Sequence, residues 1–278
     1  IAMTAIAEKT IDLQYYIWEP DTTGRILALR LVEAADRGVR VRILVDDNTL
    51  SGRDSPIAAV DAHPNIEIRI FNPFHRGFAG RVRSGVTGFS RINRRMHNKS
   101  FTVDNQITVI GGRNIADEYF GAREDAKFSD LDVIGVGPVV QDVSTMFDTF
   151  WNHETAIPVP AFIDIPEDAS AELERVRREL SAFRDEVRAS PYADALRRQV
   201  LKFDESTSGA FEWAPYTLVY DSPDKGIKRR AETAQSIAEE ALQAFRQEQA
   251  RLSDVDSPLC HDRIDKITAG TFQGKFDD

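Results

Sequence analysis

The first 45 residues place one amphipathic helix between two strand-like segments, and this order constrains the fold most. Ile11–Trp18 (IDLQYYIW) and Val39–Val45 (VRVRILV) are rich in aromatic or β-branched residues, as strands are. Between them, Arg25–Arg37 has apolar residues at helical spacing and ends at Gly38, a residue common just after helices. A strand–helix–strand unit predicts two parallel strands with a right-handed crossover. We therefore expect an α/β fold.

Similar elements follow as far as residue 160. Met96–Val103 and Ile107–Ile110 predict a β-hairpin that turns through residues 104–106. The opening segment, Ile1–Lys9, has the pattern of the end of an amphipathic helix. The remaining predicted strands are Ile66–Phe71 and Leu131–Val136, and the remaining helices are Pro56–Ala62 and Pro138–Trp151. These elements predict a mixed sheet flanked by helices on both faces, formed by residues 1–160.

After residue 160 the composition changes. Ala169–Phe203 is charged and helical in pattern, with a break at Pro191, and we interpret residues 161–219 as a helical connector. Thr217–Tyr220 is strand-like, Ser222–Pro223 predicts a turn, and Ile227–Leu252 predicts a further helix. Residues 253–278 show no clear period. We interpret residues 220–278 as the start of an incomplete second lobe or as an unassigned tail.

Charge is distributed unevenly along the chain. The net formal charge is −10, which argues against a broad surface for a polyanion such as nucleic acid. By contrast, residues 68–103 contain no Asp or Glu and eight basic residues, including Arg94, Arg95 and Lys99. Such a segment either forms a local positive patch or pairs with acids elsewhere in the fold.

Two further features bear on the class of protein. The single cysteine, Cys260, excludes an internal disulfide framework. No run of about 18 apolar residues indicates a membrane span, and no signal-peptide pattern opens the chain. Because the sequence starts at Ile1, an anchor further upstream would not be visible.

The segment His97–Asp104 (HNKSFTVD) carries the chemistry. On a strand, His97 and Lys99 would project from the same face, because side chains alternate. A neutral imidazole can attack phosphorus, and an ammonium beside it can neutralise the non-bridging oxygens. The following GGRN places Gly111 and Gly112 where the backbone can approach closely, and Asn114 as the N-cap of a helix over Ile115–Tyr119.

HNKSFTVD followed by GGRN resembles the HKD signature of the phospholipase D superfamily. The flanking segments IDLQYYIWEPDTTG, RGVRVRILVDDN and LDVIGVGPVV are similar to its bacterial cardiolipin synthase-type branch. The resemblance is close over residues 5–157 and looser over residues 160–225.

The resemblance implies roles for individual residues. His97 corresponds to the nucleophile or general acid, Lys99 and Asn114 to phosphate ligands, and Asp104 to the structural aspartate of the motif. The family's carboxylate that orients the imidazole falls on Asp130 as first choice and Asp132 as second. Arg94, Arg95 and Arg113 are candidates for substrate binding. The resemblance implies no metal or cofactor, and no cluster of metal-ligating residues stands out in the sequence.

Such a site needs two HKD motifs, and we find one. His63, His75 and His153 lack a lysine two residues later, and the lysine after His261 comes five residues on. We interpret these four as ordinary loop or surface histidines. The chain is then either an interrupted two-lobed enzyme or a single-motif subunit whose site is completed by a homodimer partner.

We therefore expect a phosphatidyltransferase or a phospholipase D that acts through a phosphohistidine on an anionic phospholipid. The expected location is the membrane surface of a bacterium, either peripheral or through an upstream anchor. Two alternatives stay open: a dimeric nuclease of the same superfamily, and an inactive lobe that binds anionic lipid. A nucleotide-binding α/β domain is disfavoured, since neither G-x-G-x-x-G nor a P-loop follows the first strand.

Overall fold

A mixed sheet lies at the centre of the described part of the chain. The computed structural model describes residues 1–47, 50, 52–74, 95–122, 130–161, 163–189 and 214–226. Within these residues seven strands lie side by side in the order β6-β5-β4-β1-β2-β3-β7. Their bounds are Thr10–Tyr15 (β1), Arg40–Asp46 (β2), Ile66–Phe71 (β3), Ser100–Val103 (β4), Ile107–Gly111 (β5), Asp132–Val136 (β6) and Ala156–Pro158 (β7).

The parallel part of the sheet confirms the strand–helix–strand prediction. Strand β1 pairs in parallel with β2, and β2 with β3, while the other pairs are antiparallel. Leu13 lies beside Ile43 and Ile43 beside Ile68, so a row of apolar side chains crosses the three strands. Such rows are buried under helices, as parallel sheets require.

Helices cover both faces of the sheet, as the sequence predicts. One core contains Leu13 and Ile43 of the sheet and Leu31 of helix α2, and the opposite core contains Leu44 of the sheet and Phe147 of α4. The helices are Ala2–Ile6 (α1), Thr22–Asp36 (α2), Asp54–Asp61 (α3), Pro138–Trp151 (α4) and Ala169–Arg188 (α5). Short 3-10 turns cover Asp117–Tyr119, Val159–Ala161 and Pro223–Gly226.

Helix α5 belongs to the segment that the sequence assigns to a connector, and it packs against α2 and α3. Arg184 forms an ion pair with Glu33 of α2 at 3.2 Å, and Arg177 forms one with Asp36 at the end of the same helix. Ser55 of α3 donates to Glu172 at 3.0 Å. These polar contacts, together with the buried side chains of Leu173 and Val176, hold α5 on the lobe.

Two predicted strand ends are wrong, and both errors concern the site. Strand β1 ends at Tyr15 rather than Trp18, and β4 begins at Ser100 rather than Met96. The last pair between these strands joins Gln14 to Ser100. The backbone N–H of Met96 instead donates to the Asp46 carboxylate at 3.1 Å, so this residue leaves the strand ladder.

Two other predictions are also wrong. Asn114 is not an N-cap, because Ala116 precedes the short 3-10 turn and the Asn114 side chain bonds elsewhere. Thr217–Tyr220 is not a strand. Its apolar side chains, Leu218 and Tyr220, pack on the core beneath α4, which explains their alternation without strand pairing.

Contacts divide the chain into two compact units, residues 1–229 and residues 230–278. The second unit lies outside the described residues, as does the helix predicted over Ile227–Leu252. In the part that the structure describes, no helix combines the length and apolar character needed to cross a bilayer.

Candidate active site

Two adjacent acids at the end of β2 hold the chain on either side of residues 75–94. The Asp46 carboxylate accepts the Arg95 guanidinium and the Met96 N–H, both at 3.1 Å. The Asp47 carboxylate accepts the backbone N–H of Phe74 at 2.6 Å. The guanidinium of Arg95 also lies 3.9 Å from the centre of the Phe74 ring. Because Asp46 and Arg95 are both buried, each depends on the other for compensation of its charge.

His97 and Lys99 directly follow the residues that Asp46 holds, and both side chains lie close to one aromatic ring. The exposed imidazole of His97 stacks on Tyr16, with ring centres 4.1 Å apart and planes 19° apart. Lys99 Nζ lies 5.7 Å from the centre of the same ring and donates to the His97 carbonyl at 2.7 Å. The two side chains therefore lie on one side of the chain, although neither residue is in a regular strand.

Lys99 is half-buried, and its charge is affected by the burial. Burial lowers the pKa of its ammonium below the ordinary lysine value, and the negative charge of Asp130 acts in the opposite direction. An ammonium with few water neighbours interacts more strongly with an anion beside it. The Asp130 carboxylate is thus near enough to favour the charged form of Lys99.

Glycines make room for the two candidate carboxylates. A Cβ on Gly112 would overlap Oδ1 of Asp130 and lie 2.9 Å from its Cγ, so only glycine fits. A Cβ on Gly111 would likewise overlap Oδ1 of Asp132. The Asp132 carboxylate accepts Arg113 Nη1 at 2.8 Å and the Arg113 backbone N–H at 3.3 Å. Asp132 and Arg113 are therefore engaged with each other.

Asn114 is buried next to the end of β1. Its Oδ1 accepts the N–H of Ile17 at 3.1 Å, and its Nδ2 donates to the Tyr119 hydroxyl at 2.9 Å. An amide nitrogen carries two hydrogens, so the bond to Tyr119 uses one of its two donors. Asn114 thus connects the GGRN segment to the residue after Tyr16.

Asp104 lies at the hairpin turn and binds backbone rather than side chains. Its carboxylate accepts the N–H groups of Glu8, Lys9 and Thr10 at 2.9, 2.7 and 2.7 Å. Burial alone would raise the pKa of Asp104, but these three donors outweigh it and hold that pKa below its ordinary value. The turn itself has a left-handed backbone at Asp104, with φ of 51°.

The three candidate arginines have different surroundings. The Arg95 guanidinium is buried against Asp46 and the Asn72 carbonyl, and its expected role in substrate binding stays a prediction. Arg113 is one-third exposed and is ion-paired with Asp132. Arg94 lies outside the described residues.

Arg69, a member of the wider positive segment, lies in intramolecular contacts. Arg69 pairs with Glu67, donates to the Trp151 carbonyl and lies over the Trp151 ring. The other arginines of this segment, Arg76, Arg81, Arg83 and Arg91, lie outside the described residues. Of the arginines that the structure describes in residues 68–103, both are therefore held in intramolecular contacts.

The other histidines do not join the site where they are described. His63 lies in a loop, one of the two surroundings expected for it, and is buried, with bonds to Asp36 and the Asn65 N–H. His153 lies in a loop and bonds to Thr155 and Asp224. His75 and His261 lie outside the described residues. Over the described ranges, no group of three or more His, Cys, Asp or Glu residues could hold a metal ion.

Sequence reasoning missed Tyr16 and Asp46. Tyr16 belongs to the aromatic-rich end of a predicted strand, and Asp46 closes the buried strand β2. Acids and aromatics that follow a buried strand are a usable signal, because strand ends carry functional residues in α/β folds.

The chain was compared with known proteins and solved structures. The family model described as "Cardiolipin synthase, PLD-like domain" matches residues 1–151. Cardiolipin synthase C of Escherichia coli (strain K12) is 44% identical over 233 residues, which are 81% of this chain and 47% of that protein. Cardiolipin synthase A of Pseudomonas syringae pv. syringae is 30% identical over 224 residues, which are 80% of this chain and 42% of that protein. The chain thus spans less than half the length of these curated relatives.

Among solved structures, phosphatidylserine synthase of Haemophilus influenzae Rd KW20 aligns with a TM-score of 0.44 at 16% identity, covering 68% of this chain and 41% of that one. The family model covers more than half of the chain and includes His97, Lys99 and the GGRN segment. The chain belongs to the cardiolipin synthase, PLD-like domain family.

Proposed function

We propose that this chain supplies one half of a phosphatidyl-transfer site that acts on an anionic phospholipid, with His97 as the residue that meets phosphorus. The observation that carries the proposal is the convergence of His97 and Lys99 on the Tyr16 ring, with the Lys99 ammonium bonded to the His97 carbonyl. The likeness to proteins named cardiolipin synthase supports the phosphatidyl group as the part transferred.

In the proposed first step, a ring nitrogen of His97 attacks phosphorus and the bond from phosphorus to the departing alcohol oxygen breaks. That oxygen takes a proton from the histidine of a second half-site. The products are a phosphohistidine and the released alcohol. An acceptor alcohol then attacks phosphorus, gives its proton to the second histidine and releases His97; water in the same place gives hydrolysis.

The other candidate site residues would stabilise this step. Lys99 neutralises charge on the non-bridging oxygens, and Asn114 offers the second hydrogen of its amide. Asp130 would hydrogen-bond the imidazole, fix its tautomer and stabilise the imidazolium. Arg113 is a candidate contact for the head group, if the phosphate displaces Asp132 from it.

The proposed site needs a second HKD half, supplied either by further sequence or by a second copy. The chain spans 47% of Cardiolipin synthase C, which leaves room for another lobe in a protein of that length. We also propose that the chain works at the surface of a bacterial membrane, where its substrate resides.

Labelled phosphatidylglycerol vesicles test the proposal. The chain is assayed over a range of concentrations, and also within the longer polypeptide wherever the sequence continues. Cardiolipin with released glycerol indicates transfer, and phosphatidic acid indicates hydrolysis. We expect His97→Asn to abolish both products, while His153→Asn, a loop-histidine control, leaves them within about twofold. A rate that rises with the square of concentration indicates a dimeric site.

Several outcomes oppose the proposal. Full turnover by His97→Asn would remove His97 from the chemistry. Cleavage of single-stranded DNA in preference to the lipid would indicate a nuclease. Binding to anionic vesicles in every assembled form, without turnover in any, would indicate a lipid-binding lobe that has no catalytic role.

A further inference from the structure

The Tyr16 ring lies close to both functional side chains that the motif provides. Its ring stacks on the imidazole at 4.1 Å and lies 5.7 Å from the ammonium nitrogen of Lys99. In the described residues, His97 and Lys99 are joined both by this ring and by the bond from Lys99 Nζ to the His97 carbonyl. A change at Tyr16 therefore reaches both groups.

The position of Tyr16 is itself fixed by its neighbours. It follows the last residue of β1, and the next N–H, of Ile17, donates to Asn114. Trp18 forms a parallel bridge with Ile115, and the Glu19 N–H donates to the Ile115 carbonyl at 2.8 Å. The backbone on both sides of Tyr16 is thus held, which fixes the point from which its ring extends toward His97.

Stacking engages the face of the imidazole, so the Tyr16 ring does not cover the edge on which both nitrogens lie. An exposed histidine samples several rotamers of two side-chain torsions, and contact with a fixed ring selects among them. Displacement at phosphorus depends on alignment, and an error of about 1 Å can slow a reaction by about 100-fold. A ring that holds the imidazole in one plane would therefore raise the rate without touching phosphate.

The electrostatics of Tyr16 suit this role. Burial, together with the negative charge of Asp46, raises the pKa of the Tyr16 hydroxyl, so the ring stays neutral under ordinary conditions. The negative face of a neutral aromatic ring attracts a cation lying over it. The ring can thus interact favourably with the Lys99 ammonium and with an imidazolium at His97.

We propose that Tyr16 is a positioning residue of the site: its ring sets the plane of the His97 imidazole and keeps the Lys99 ammonium beside it. The inference rests on the proposed function, since it assigns Tyr16 a part in the same reaction. The proposed role belongs to the ring and not to the hydroxyl. Phenylalanine, which keeps the ring, should therefore preserve the role, and leucine, which lacks it, should not.

Two measurements on Tyr16→Phe and Tyr16→Leu test the proposal. In proton–carbon NMR spectra of histidine-labelled protein, we expect the His97 ring protons to be shifted upfield by the stacked ring. His97→Asn assigns these signals. The shift should persist in Tyr16→Phe and disappear in Tyr16→Leu. This measurement requires neither a second half-site nor turnover.

The kinetic measurement uses the assembled form that turns over phosphatidylglycerol. We expect Tyr16→Leu to lower kcat by roughly 10- to 100-fold with KM within about threefold, and Tyr16→Phe to stay within about threefold in both. Tyr216→Leu is the matched control, because Tyr216 is exposed and its hydroxyl contacts Asp142 of α4. Circular dichroism and the Tm of each variant check that it is folded.

The results separate the two proposals. Unshifted His97 protons in the wild type, or equal kcat in wild type and folded Tyr16→Leu, overturn the role of Tyr16 alone. Absence of phosphatidyl transfer by the wild type in every form overturns the proposed function, and with it the role of Tyr16 in the reaction. In that case an upfield shift of the His97 protons would show only that the two rings stack. Loss of rate in Tyr16→Phe equal to that in Tyr16→Leu would assign the effect to the hydroxyl and overturn the proposal.

Discussion

Asp130 lies directly against the backbone of Gly112, so that a single added methyl group would overlap its carboxylate. We expect Gly112→Ala to displace Asp130 and to lower the free energy of unfolding by about 1 to 3 kcal/mol, as overpacking does. Urea denaturation of the wild type, the two single variants Gly112→Ala and Asp130→Ala, and the double variant measures this loss of stability. In an Asp130→Ala background the same substitution should be less destabilising, because the oxygen and Cγ that it meets are gone. Additive effects would contradict the contact.

Asp130 also affects the charge on Lys99, and this gives a prediction about pH. The negative charge of Asp130 raises the pKa of Lys99 against the lowering effect of burial. Asp130→Asn removes that charge, so Lys99 should lose its proton at a lower pH than in the wild type. We therefore expect the alkaline limb of the kcat/KM profile to move to lower pH.

Lys99→Arg separates this effect from a change at His97. Arginine stays protonated over the working range, so the alkaline limb due to residue 99 should be absent in active Lys99→Arg and in its combination with Asp130→Asn. An alkaline limb that stays in place in Asp130→Asn would show that Lys99 does not limit the rate there.

The bonds of Asp104 to three backbone N–H groups predict a loss of stability in Asp104→Asn. Asparagine tolerates the left-handed backbone of this turn but lacks the charge, and we expect a loss of about 1 to 2 kcal/mol at pH 7. Because the folded pKa lies below the ordinary 3.8, this stabilisation is present above pH 4 and is lost as pH falls through the folded value. Urea midpoints at pH 7 and pH 3 check it: the difference from wild type should shrink in acid.

The contribution of Asp61 to stability depends on pH in the opposite direction to that of Asp104. Burial raises its pKa to about 6, while the N–H of Ile68 lowers it and the charge of Glu67 raises it further. The folded state thus holds the Asp61 proton more tightly than the unfolded state, and the contribution of Asp61 to stability falls as pH rises from about 4 to 6. Asp61→Asn keeps an acceptor for Ile68 and should be more stable at pH 7 by about 1 to 2 kcal/mol, allowing for solvent screening.

The comparison at pH 4 is the control for Asp61→Asn. There the wild-type carboxyl is protonated in the folded state, and the two proteins should have similar urea midpoints. A constant difference across the range would assign the effect to packing instead of charge.

The sheet and its flanking helices could be predicted because local patterns determine them. Segments rich in β-branched residues, such as Val39–Val45, are typical of strands, and the amphipathic helix predicted over Arg25–Arg37 supplies an apolar face to cover them. The predicted and observed bounds of α4, Pro138–Trp151, are identical, since a proline at its start and an apolar stripe specify the helix.

The parts that failed depend on residues far apart in sequence. The Met96 N–H bonds to a carboxylate 50 residues earlier, and the Asn114 amide bonds to an N–H 97 residues earlier. A local sequence pattern does not indicate such a distant partner. The sequence alone therefore predicts a strand at His97 and a helix N-cap at Asn114. The same reason explains why Tyr16 was missed: its role depends on a ring that the fold brings to it from residue 97.

The paired anchors Asp46 and Asp47 have an evolutionary consequence. They hold Phe74 and Arg95, the residues that flank residues 75–94, in contact with each other. Arg95 and Met96, which directly precede His97, are held by the Asp46 carboxylate. Selection that preserves the position of His97 should therefore also preserve Asp46, an acid that lies 50 residues before Met96 in the chain.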